Sequence, residues 1–261
     1  MREWIDFEEE VLYKNRFFCN HNIMEHIKKL SETHFKTLAV NTLLYRSRVI
    51  ERDQICKDAR KILGKEINNS DVRIRCKLYK DLETYGFNEQ NSGMPPVEKT
   101  VDGRANPKLI PYLYLAIHPY TSVVECKPYQ FDRVSVAKFL LTKPAKIMDL
   151  NKFVNKSLSE LEYDEKLINH LNYEFSRPVK GNCNEYIVTQ FIAEFIKHLG
   201  FDGISYMSSL HIQGENIVLF DNKKTEFNGS FVYCINDIRF DIGSDIVNRH
   251  APDIMPEEYK I

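Results

Sequence analysis

The sequence predicts an α+β fold built around a mixed β-sheet. Segments in which apolar and polar residues alternate, such as 43–50 and 133–142, are typical of strands. They are interleaved with segments whose apolar residues recur every three or four positions, as in 184–199, which is typical of helices. Of the 261 residues, 43% are apolar and 28% are charged, an ordinary balance for a globular protein. A chain of this length buries a sizeable core without needing disulfides or a metal.

The N-terminal half predicts helices, one strand and a long loop. Residues 1–40 predict a helical extension, because Val11, Leu12, Phe17 and Phe18 recur near helical spacing. The alternation in 43–50 predicts a strand that carries its arginines on one face. Residues 51–80 are rich in charge and are interpreted as a helix with a short strand. The Asn-, Pro- and Gly-rich stretch 88–107 predicts a loop long enough to be functional.

The C-terminal half predicts more strands and two longer helices. Thr121 or Ser122 is expected to cap a short helix that runs through Glu125. The clearest helix, 184–199, has one apolar stripe and is followed by Gly200, where a helix C-terminus favours glycine. The remaining predictions are a helix over 157–171 and strands over 110–117, 133–142, 145–150, 203–207, 216–220 and 231–242.

The charge balance excludes several classes of partner. With 36 basic and 37 acidic residues, the net charge is −1, which argues against a nucleic-acid coat or a polybasic membrane binder. A local basic pocket for a small anion remains compatible with it. No stretch approaches the ~20 apolar residues of a membrane-spanning helix. The acidic start does not resemble a secretory signal and the six cysteines form no CxxC pair, so we expect a cytoplasmic protein with reduced thiols.

Common catalytic motifs do not occur in the sequence. There is no G-x-G-x-x-G after a strand and no P-loop, so neither type of nucleotide site is predicted. A G-x-S-x-G elbow is missing as well, which weighs against an α/β-hydrolase. His21 and His26 lack the H-E-x-x-H arrangement of a zinc site, and we expect no metal.

Polar groups are concentrated where a strand or loop meets an apolar run. The segments concerned are 44–48, 103–107, Tyr114 with Glu125, and 206–209 with 215–216. Taken singly, each has a structural explanation: an exposed strand face, a turn, or the polar side of a helix. Taken together, and in this order, they resemble the RES domain family, which is named for an arginine, a glutamate and a serine. The resemblance rests on the segments 44–46, 103–107, 112–116, 121–125, 147–150, 186–190, 201–209 and 216–220.

The resemblance implies a fold like that of the ADP-ribosyltransferase toxins, a mixed sheet split by an NAD cleft. It divides the chain into the N-terminal helical extension 1–40, a RES domain over 41–225, and a C-terminal strand and tail, 226–261, packed on the same domain. Members of the family are described as toxins that hydrolyse or phosphorolyse NAD at the nicotinamide bond, and some act as ADP-ribosyltransferases. The implied partners are NAD as substrate, inorganic phosphate and an antitoxin protein.

The resemblance also assigns the site residues. The family's glutamate corresponds to Glu125, its arginine to Arg46 and its serine to Ser208, which together form the catalytic set. Arg104, in the Gly-Arg motif, is a second basic residue, and Tyr114 stands where the family has a tyrosine. Arg48 and Ser209 remain alternatives to Arg46 and Ser208 respectively. Asn216 is expected to support the floor of the cleft, and with Arg46, Arg104, Tyr114 and Ser208 it completes the NAD-binding set.

These residue types suit the chemistry of NAD. Cleavage of the nicotinamide–ribose bond creates oxocarbenium character on the ribose, as in glycoside cleavage, and a carboxylate such as Glu125 stabilises that charge. Guanidinium groups such as those of Arg46 and Arg104 match the oxygens of a pyrophosphate. The sequence does not separate hydrolysis, phosphorolysis, ADP-ribosyl transfer to a macromolecule, and a catalytically silent NAD- or ADP-ribose-binding module.

Overall fold

The computed structural model describes residues 2–14, 21–50, 85–151, 162–177 and 183–238. The predicted helix and strand over 51–80 lie outside these ranges, as does the start of the helix predicted over 157–171. The described α-helices are α1 (Arg2–Glu9), α2 (Asn22–Thr33), α3 (Glu89–Ser92), α4 (Pro119–Glu125), α5 (Tyr163–Ser176) and α6 (Ile187–His198). The described strands are β1 (Phe35–Leu38), β2 (Leu43–Val49), β3 (Leu113–Ala116), β4 (Arg133–Leu141), β5 (Ala145–Asp149), β6 (Gly203–Met207), β7 (Glu215–Leu219) and β8 (Thr225–Cys234).

The strands form one eight-stranded mixed sheet in the order β1-β5-β6-β7-β3-β2-β4-β8. Within the described residues β5 and β6 run parallel, and every other neighbouring pair is antiparallel. The predicted fold class, α+β with a mixed sheet and an N-terminal helical extension, is thereby confirmed.

Helices cover one face of this sheet. A buried cluster joins Phe7 of α1 and Ile27 of α2 to Phe175 of α5 and Ile192 of α6, and it rests on Ile204 of β6. The opposite face has a second core, which includes Leu44, Leu115, Phe139, Ile147 and Ile217. Because both faces are covered, burial is nearly continuous along β3, β6 and β7.

Local sequence signals account for the ends of several helices. The imidazole of His21 accepts a hydrogen bond from the backbone N–H of Ile23 and so caps α2. Glu162 and Glu165 form a reciprocal capping box at the start of α5. Gly200 follows α6 with a φ of +85°, the left-handed conformation that glycine adopts without strain, as the sequence predicts.

Three local expectations differ from the structure. Residues Phe35–Leu38, predicted as part of the helical extension, form the edge strand β1, because they pair with β5. The helix that precedes Glu125 begins at Pro119, before Thr121 and Ser122, since proline suits the first turn of a helix, where its missing N–H is not needed. The loop predicted over 88–107 contains α3 and a 3₁₀ turn at Val97–Lys99.

The remaining strands agree with expectation to different degrees. Strand β6 matches the predicted 203–207, and β7 is shifted by one residue from the predicted 216–220. Strand β8 begins before the predicted 231 and ends at Cys234. None of the described helices has the length and apolar character needed to cross a membrane.

Candidate active site

A cleft opens where β2 and β3 separate. Strand β2 pairs with β4 along its whole length, but it meets β3 at a single position, Tyr45 opposite Ala116. From Arg46 onward, the β3-facing edge of β2 therefore has no partner strand among the described residues. The cleft at this edge has a volume of about 520 Å³ measured to its open mouth. It is lined by Tyr45, Arg46, Ser47, Tyr114, Leu115, Ala116, Ser122, Glu125, Cys126, Tyr206 and Asn216.

Glu125 is held in this cleft by two hydrogen-bond donors. It is the last residue of α4 and is exposed to solvent. Its Oε1 accepts a hydrogen bond from Ser208 Oγ and another from Asn216 Nδ2, both at 2.7 Å. Among the described residues, Oε2 has no hydrogen-bond partner. One carboxylate oxygen is therefore fixed, and the other is free to meet a ligand.

The hydroxyl of Ser208 points toward Glu125 because of its surroundings. Its oxygen accepts hydrogen bonds from the backbone N–H groups of Leu210, at 3.2 Å, and His211, at 3.1 Å. With those donors on its lone pairs, the hydroxyl proton is directed to Glu125. Ser209 is exposed, and its side chain makes no hydrogen bond to any described residue. The geometry thus brings Ser208, and not Ser209, to the carboxylate.

Tyr114 joins the cleft to the loop that carries the Gly-Arg motif. Its hydroxyl accepts a hydrogen bond from the backbone N–H of Ala105 at 3.0 Å and donates one to Asn106 Oδ1 at 2.7 Å. Burial, the main cause, raises the pKa of Tyr114 to about 12. A Cβ on Gly103 would lie 2.3 Å from Asn106 Oδ1 and 2.6 Å from the Tyr114 hydroxyl oxygen. Glycine is thus required at position 103 for this loop to close on β3.

The first turn of α6 holds the same loop from the other side. Gln190 Nε2 donates to the backbone carbonyls of Gly103, at 2.9 Å, and Asn106, at 3.1 Å. Thr189 Oγ1 donates to the carbonyl of Arg104 at 2.6 Å. These contacts give the 186–190 segment a physical role: it fixes the backbone around the Gly-Arg motif.

Arg46 carries a positive charge that no described carboxylate neutralises. Strand alternation places it with Leu44 on one face of β2, whereas Tyr45 and Ser47 point to the other. Its Nη1 donates to the backbone carbonyls of Ser92, at 3.2 Å, and of Gly93. Burial, and secondarily the neighbouring Arg48, lowers the pKa of Arg46 to about 10.

Arg48 and Arg104 lie outside the lining of the cleft. Arg48 donates to the carbonyl of Asn91 at 3.2 Å and lies 5.0 Å from the centre of the Phe87 ring. Arg104 donates to the carbonyl of Phe175, near the C-terminal end of α5, where a cation is favourable. The Arg104 guanidinium lies 6.0 Å from the centre of the Tyr206 ring, and Tyr206 does line the cleft.

Several lining residues were not selected from the sequence. Tyr45, Ser47 and Ser122 fall within or beside the recognised motifs, but their chemistry alone did not distinguish them. In the structure Ser47 Oγ and Ser122 Oγ are 2.6 Å apart, and Ser122 Oγ also donates to the Pro119 carbonyl. The pairing of β2 with β3 at one position and the packing of α4 bring these hydroxyls together, and neither feature is visible in one-dimensional spacing.

The predicted site residues therefore divide into two groups. Glu125, Ser208, Asn216, Tyr114 and Arg46 meet in or around one cleft. Arg104 adjoins the cleft through Tyr206. The described part of the chain contains no group of three or more His, Cys, Asp or Glu side chains arranged to hold a metal ion.

Comparison with protein families identifies the chain. The model of the RES domain matches residues 77–242, which is more than half of the sequence. The chain belongs to the RES domain family. Arg104, Tyr114, Glu125, Ser208 and Asn216 lie within the matched segment, whereas Arg46 precedes it and joins the same sheet through β2. The domain boundaries expected from the sequence, 41 and 225, remain a prediction.

Comparison with individual proteins adds less. No curated protein matches the chain. Among solved structures, it is similar to a chain in the crystal structure of the M. tuberculosis MbcT–MbcA toxin–antitoxin complex, with 13% identity, 80% of this chain and 92% of that chain covered, and a TM-score of 0.37. So low a score supports no conclusion about function.

Proposed function

We propose that this RES domain protein cleaves the bond between nicotinamide and ribose in NAD, with water or inorganic phosphate as the acceptor. The observation that carries the proposal is the arrangement of Glu125, whose Oε1 is held by Ser208 and Asn216 while Oε2 is left for a ligand. Two short hydrogen bonds to one oxygen fix the carboxylate before substrate arrives, and such preorganisation is the usual source of electrostatic catalysis. Membership in the RES family adds the substrate class.

The chemistry assigns a role to each part of the cleft. When the C–N bond breaks, its electron pair moves to the nicotinamide nitrogen and positive charge develops on the ribose. The Glu125 carboxylate stabilises that charge, and Oε2 accepts a hydrogen bond from a ribose hydroxyl. The acceptor oxygen then bonds to the ribose carbon, and where the acceptor is water, its proton is released to the solvent. Tyr114 supplies an aromatic wall, since its hydroxyl is already engaged with Ala105 and Asn106.

Arg46 is the candidate for binding the pyrophosphate of NAD. A charged side chain that is withdrawn from water without a counter-ion is costly, and a bound anion removes that cost. Its contacts with Ser92 and Gly93 use Nη1. As far as the described residues go, the other nitrogens of the guanidinium remain for phosphate oxygens. Arg104, held at the end of α5, acts on the cleft through Tyr206 and contributes positive potential.

The biological role that fits this activity is an NAD-consuming toxin or defence effector held in check by an antitoxin. This part of the proposal rests on the RES family resemblance. A cleft that is open at the surface, with Glu125 exposed, is accessible both to a small substrate and to a protein that covers it.

The decisive test is incubation of the purified protein with NAD, with and without phosphate, followed by chromatography for nicotinamide. We expect nicotinamide release from the wild type and at least a hundredfold loss in Glu125→Gln, a magnitude typical for removal of a charge-stabilising group. Glu226→Gln is the matched control, because Glu226 is an exposed glutamate on β8 that does not line the cleft. Free ADP-ribose as co-product indicates hydrolysis, and a phosphorylated co-product indicates phosphorolysis.

Three outcomes would contradict the proposal. Absence of nicotinamide release under both conditions, or full activity of Glu125→Gln, excludes NAD cleavage by this carboxylate. Transfer of label from NAD to a macromolecule, with no free ADP-ribose, redirects the assignment to an ADP-ribosyltransferase.

The toxin role is tested by expressing the variants in cells. We expect growth arrest with the wild type and with Glu226→Gln, but not with Glu125→Gln.

A further inference from the structure

The turn between β6 and β7, residues 208–214, is attached to α4 at two points. Thr121 and Glu125 are four residues apart and so lie on the same face of that helix. Glu125 receives the hydrogen bond from Ser208 at 2.7 Å, and one helical turn earlier Thr121 Oγ1 is 2.8 Å from His211 Nδ1. The two contacts are parallel bridges between the same pair of segments.

The imidazole of His211 fits closely into this attachment. Thr121 is completely buried, and the Tyr120 ring packs edge-on against the imidazole with centroids 4.9 Å apart. On the other side, a Cβ on Gly214 would lie 2.6 Å from His211 Nδ1 and 2.9 Å from its Cβ. Only a residue without a side chain leaves room for the ring here.

The backbone of His211 connects this contact to the proposed catalytic carboxylate. Its N–H donates to Ser208 Oγ at 3.1 Å, as does that of Leu210 at 3.2 Å. The same turn is closed by the Ser208 N–H, which donates to the Gly214 carbonyl at 2.8 Å. Anchoring the ring therefore anchors the donors that direct the Ser208 proton to Glu125.

We propose that His211 is a positioning residue, which fastens the 208–214 turn to α4 and thereby holds Glu125 in its working orientation. The inference rests on the proposed function, because it takes Glu125 to be the group that acts on NAD. His211 does not line the cleft, so its effect is exerted through Ser208. Loss of the His211 side chain loosens the Glu125 carboxylate without removing any contact with the substrate.

The test compares His211→Ala with His211→Asn, whose side-chain amide places a polar atom near the position of Nδ1. In His211→Ala we expect kcat for nicotinamide release to fall about tenfold, because a loss of this size corresponds to roughly one hydrogen bond in the transition state. The KM for NAD is expected to change by less than about twofold. His211→Asn restores most of the lost kcat. Ile212→Ala, in the same turn but 89% exposed, is the control and leaves both constants unchanged.

A second measurement does not depend on catalysis. Amide hydrogen exchange at Leu210 and His211 reports whether their N–H groups stay bonded to Ser208. We expect faster exchange at both amides in His211→Ala, and wild-type protection in His211→Asn and Ile212→Ala. If His211→Ala does not fold, Thr121→Val removes only the partner hydroxyl and is expected to show the same exchange and kcat effects.

The outcomes separate this inference from the proposed function. With an active wild type, an unchanged kcat in His211→Ala, a rise in KM alone, or a failure of His211→Asn to restore kcat overturns the positioning role. A wild type that releases no nicotinamide removes the proposed function and the catalytic part of the inference together. Unchanged amide exchange in His211→Ala then overturns the attachment of the turn as well.

Discussion

Replacing Tyr114 by phenylalanine removes one oxygen atom that links β3 to the Gly-Arg loop. The hydroxyl accepts a hydrogen bond from the backbone N–H of Ala105 and donates one to Asn106 Oδ1. Ala105 is fully buried and Asn106 is 3% exposed, so water cannot take the place of the missing hydroxyl without opening the loop. The Asn106 amide cannot rotate freely either, since its Nδ2 donates to the carbonyls of Val101 and Pro107.

The expected loss of stability follows from these contacts. The substitution leaves one buried donor and one buried acceptor without partners, and each such group costs ~1–3 kcal/mol. Part of this is offset because the hydroxyl itself no longer has to leave water. We therefore expect Tyr114→Phe to lower the free energy of unfolding by about 3 kcal/mol. At ~2–4 °C per kcal/mol for a chain of this size, Tm falls by roughly 6–12 °C.

Thermal unfolding followed by circular dichroism measures this effect. Tyr129→Phe is the matched control, because Tyr129 is 80% exposed and its hydroxyl has no hydrogen-bond partner among the described residues. The control is expected to change the free energy of unfolding by less than ~0.5 kcal/mol. A double-mutant cycle with Asn106→Ala isolates the bond between the two side chains, and we expect a coupling of at least ~1 kcal/mol.

Two results would refute this reasoning. A loss in Tyr114→Phe no larger than in Tyr129→Phe means that the hydroxyl is not what holds the loop on β3. Strict additivity of Tyr114→Phe and Asn106→Ala means that the two side chains do not depend on each other, in conflict with their 2.7 Å separation.

Three further predictions concern the cleft. Asn216→Leu removes the amide donor to Glu125, and we expect a ~10–100-fold lower kcat for nicotinamide release with the melting temperature little changed; equal activity would contradict the role of that bond. Burial lowers the pKa of Arg46 to about 10, so the folded protein binds the guanidinium proton less well than the unfolded chain does. The charge on Arg46 therefore destabilises the folded state at neutral pH, and this destabilisation is relieved as the pH rises above about 10. A bound anion relieves it at neutral pH, and pyrophosphate is expected to raise the Tm of the wild type but not of Arg46→Gln; equal shifts would argue against an anion site. Burial raises the pKa of the Cys126 thiol to about 11, so iodoacetamide at pH 8 is expected to label exposed Cys234 well before Cys126, as mass spectrometry of the peptides will show.

Much of the fold and of the candidate site can be read from local sequence. Strand β6 and the end of α6 at Gly200 follow from alternation and from the preference for glycine in a left-handed conformation. The ordered family motifs placed Glu125 and Ser208 in one predicted catalytic set, and their hydrogen bond to each other is seen only in the structure. These features depend on neighbours in the chain, or on a pattern long enough to be specific.

Other features depend on long-range pairing and could not be read this way. The sequence predicts residues 35–38 as the end of a helical region, yet they form strand β1 because they pair with the edge of β5. Ser208 is distinguished from Ser209 by the direction of the turn that follows β6. The roles of Thr121, His211 and Gly214 require α4 and that turn to be packed together.

The sequence by itself determined the fold class, the family and the chemical types present at the site, because periodicity and ordered motifs are properties of the chain. Tertiary structure alone decided which atoms meet. Among the described residues, Oε1 of Glu125 is bound and Oε2 is open, and Arg46 faces backbone carbonyls. Arg104 lies beside the cleft, near the ring of Tyr206. The physical reason is that hydrogen-bond geometry is set at the scale of an ångström by strands and helices that are distant in sequence.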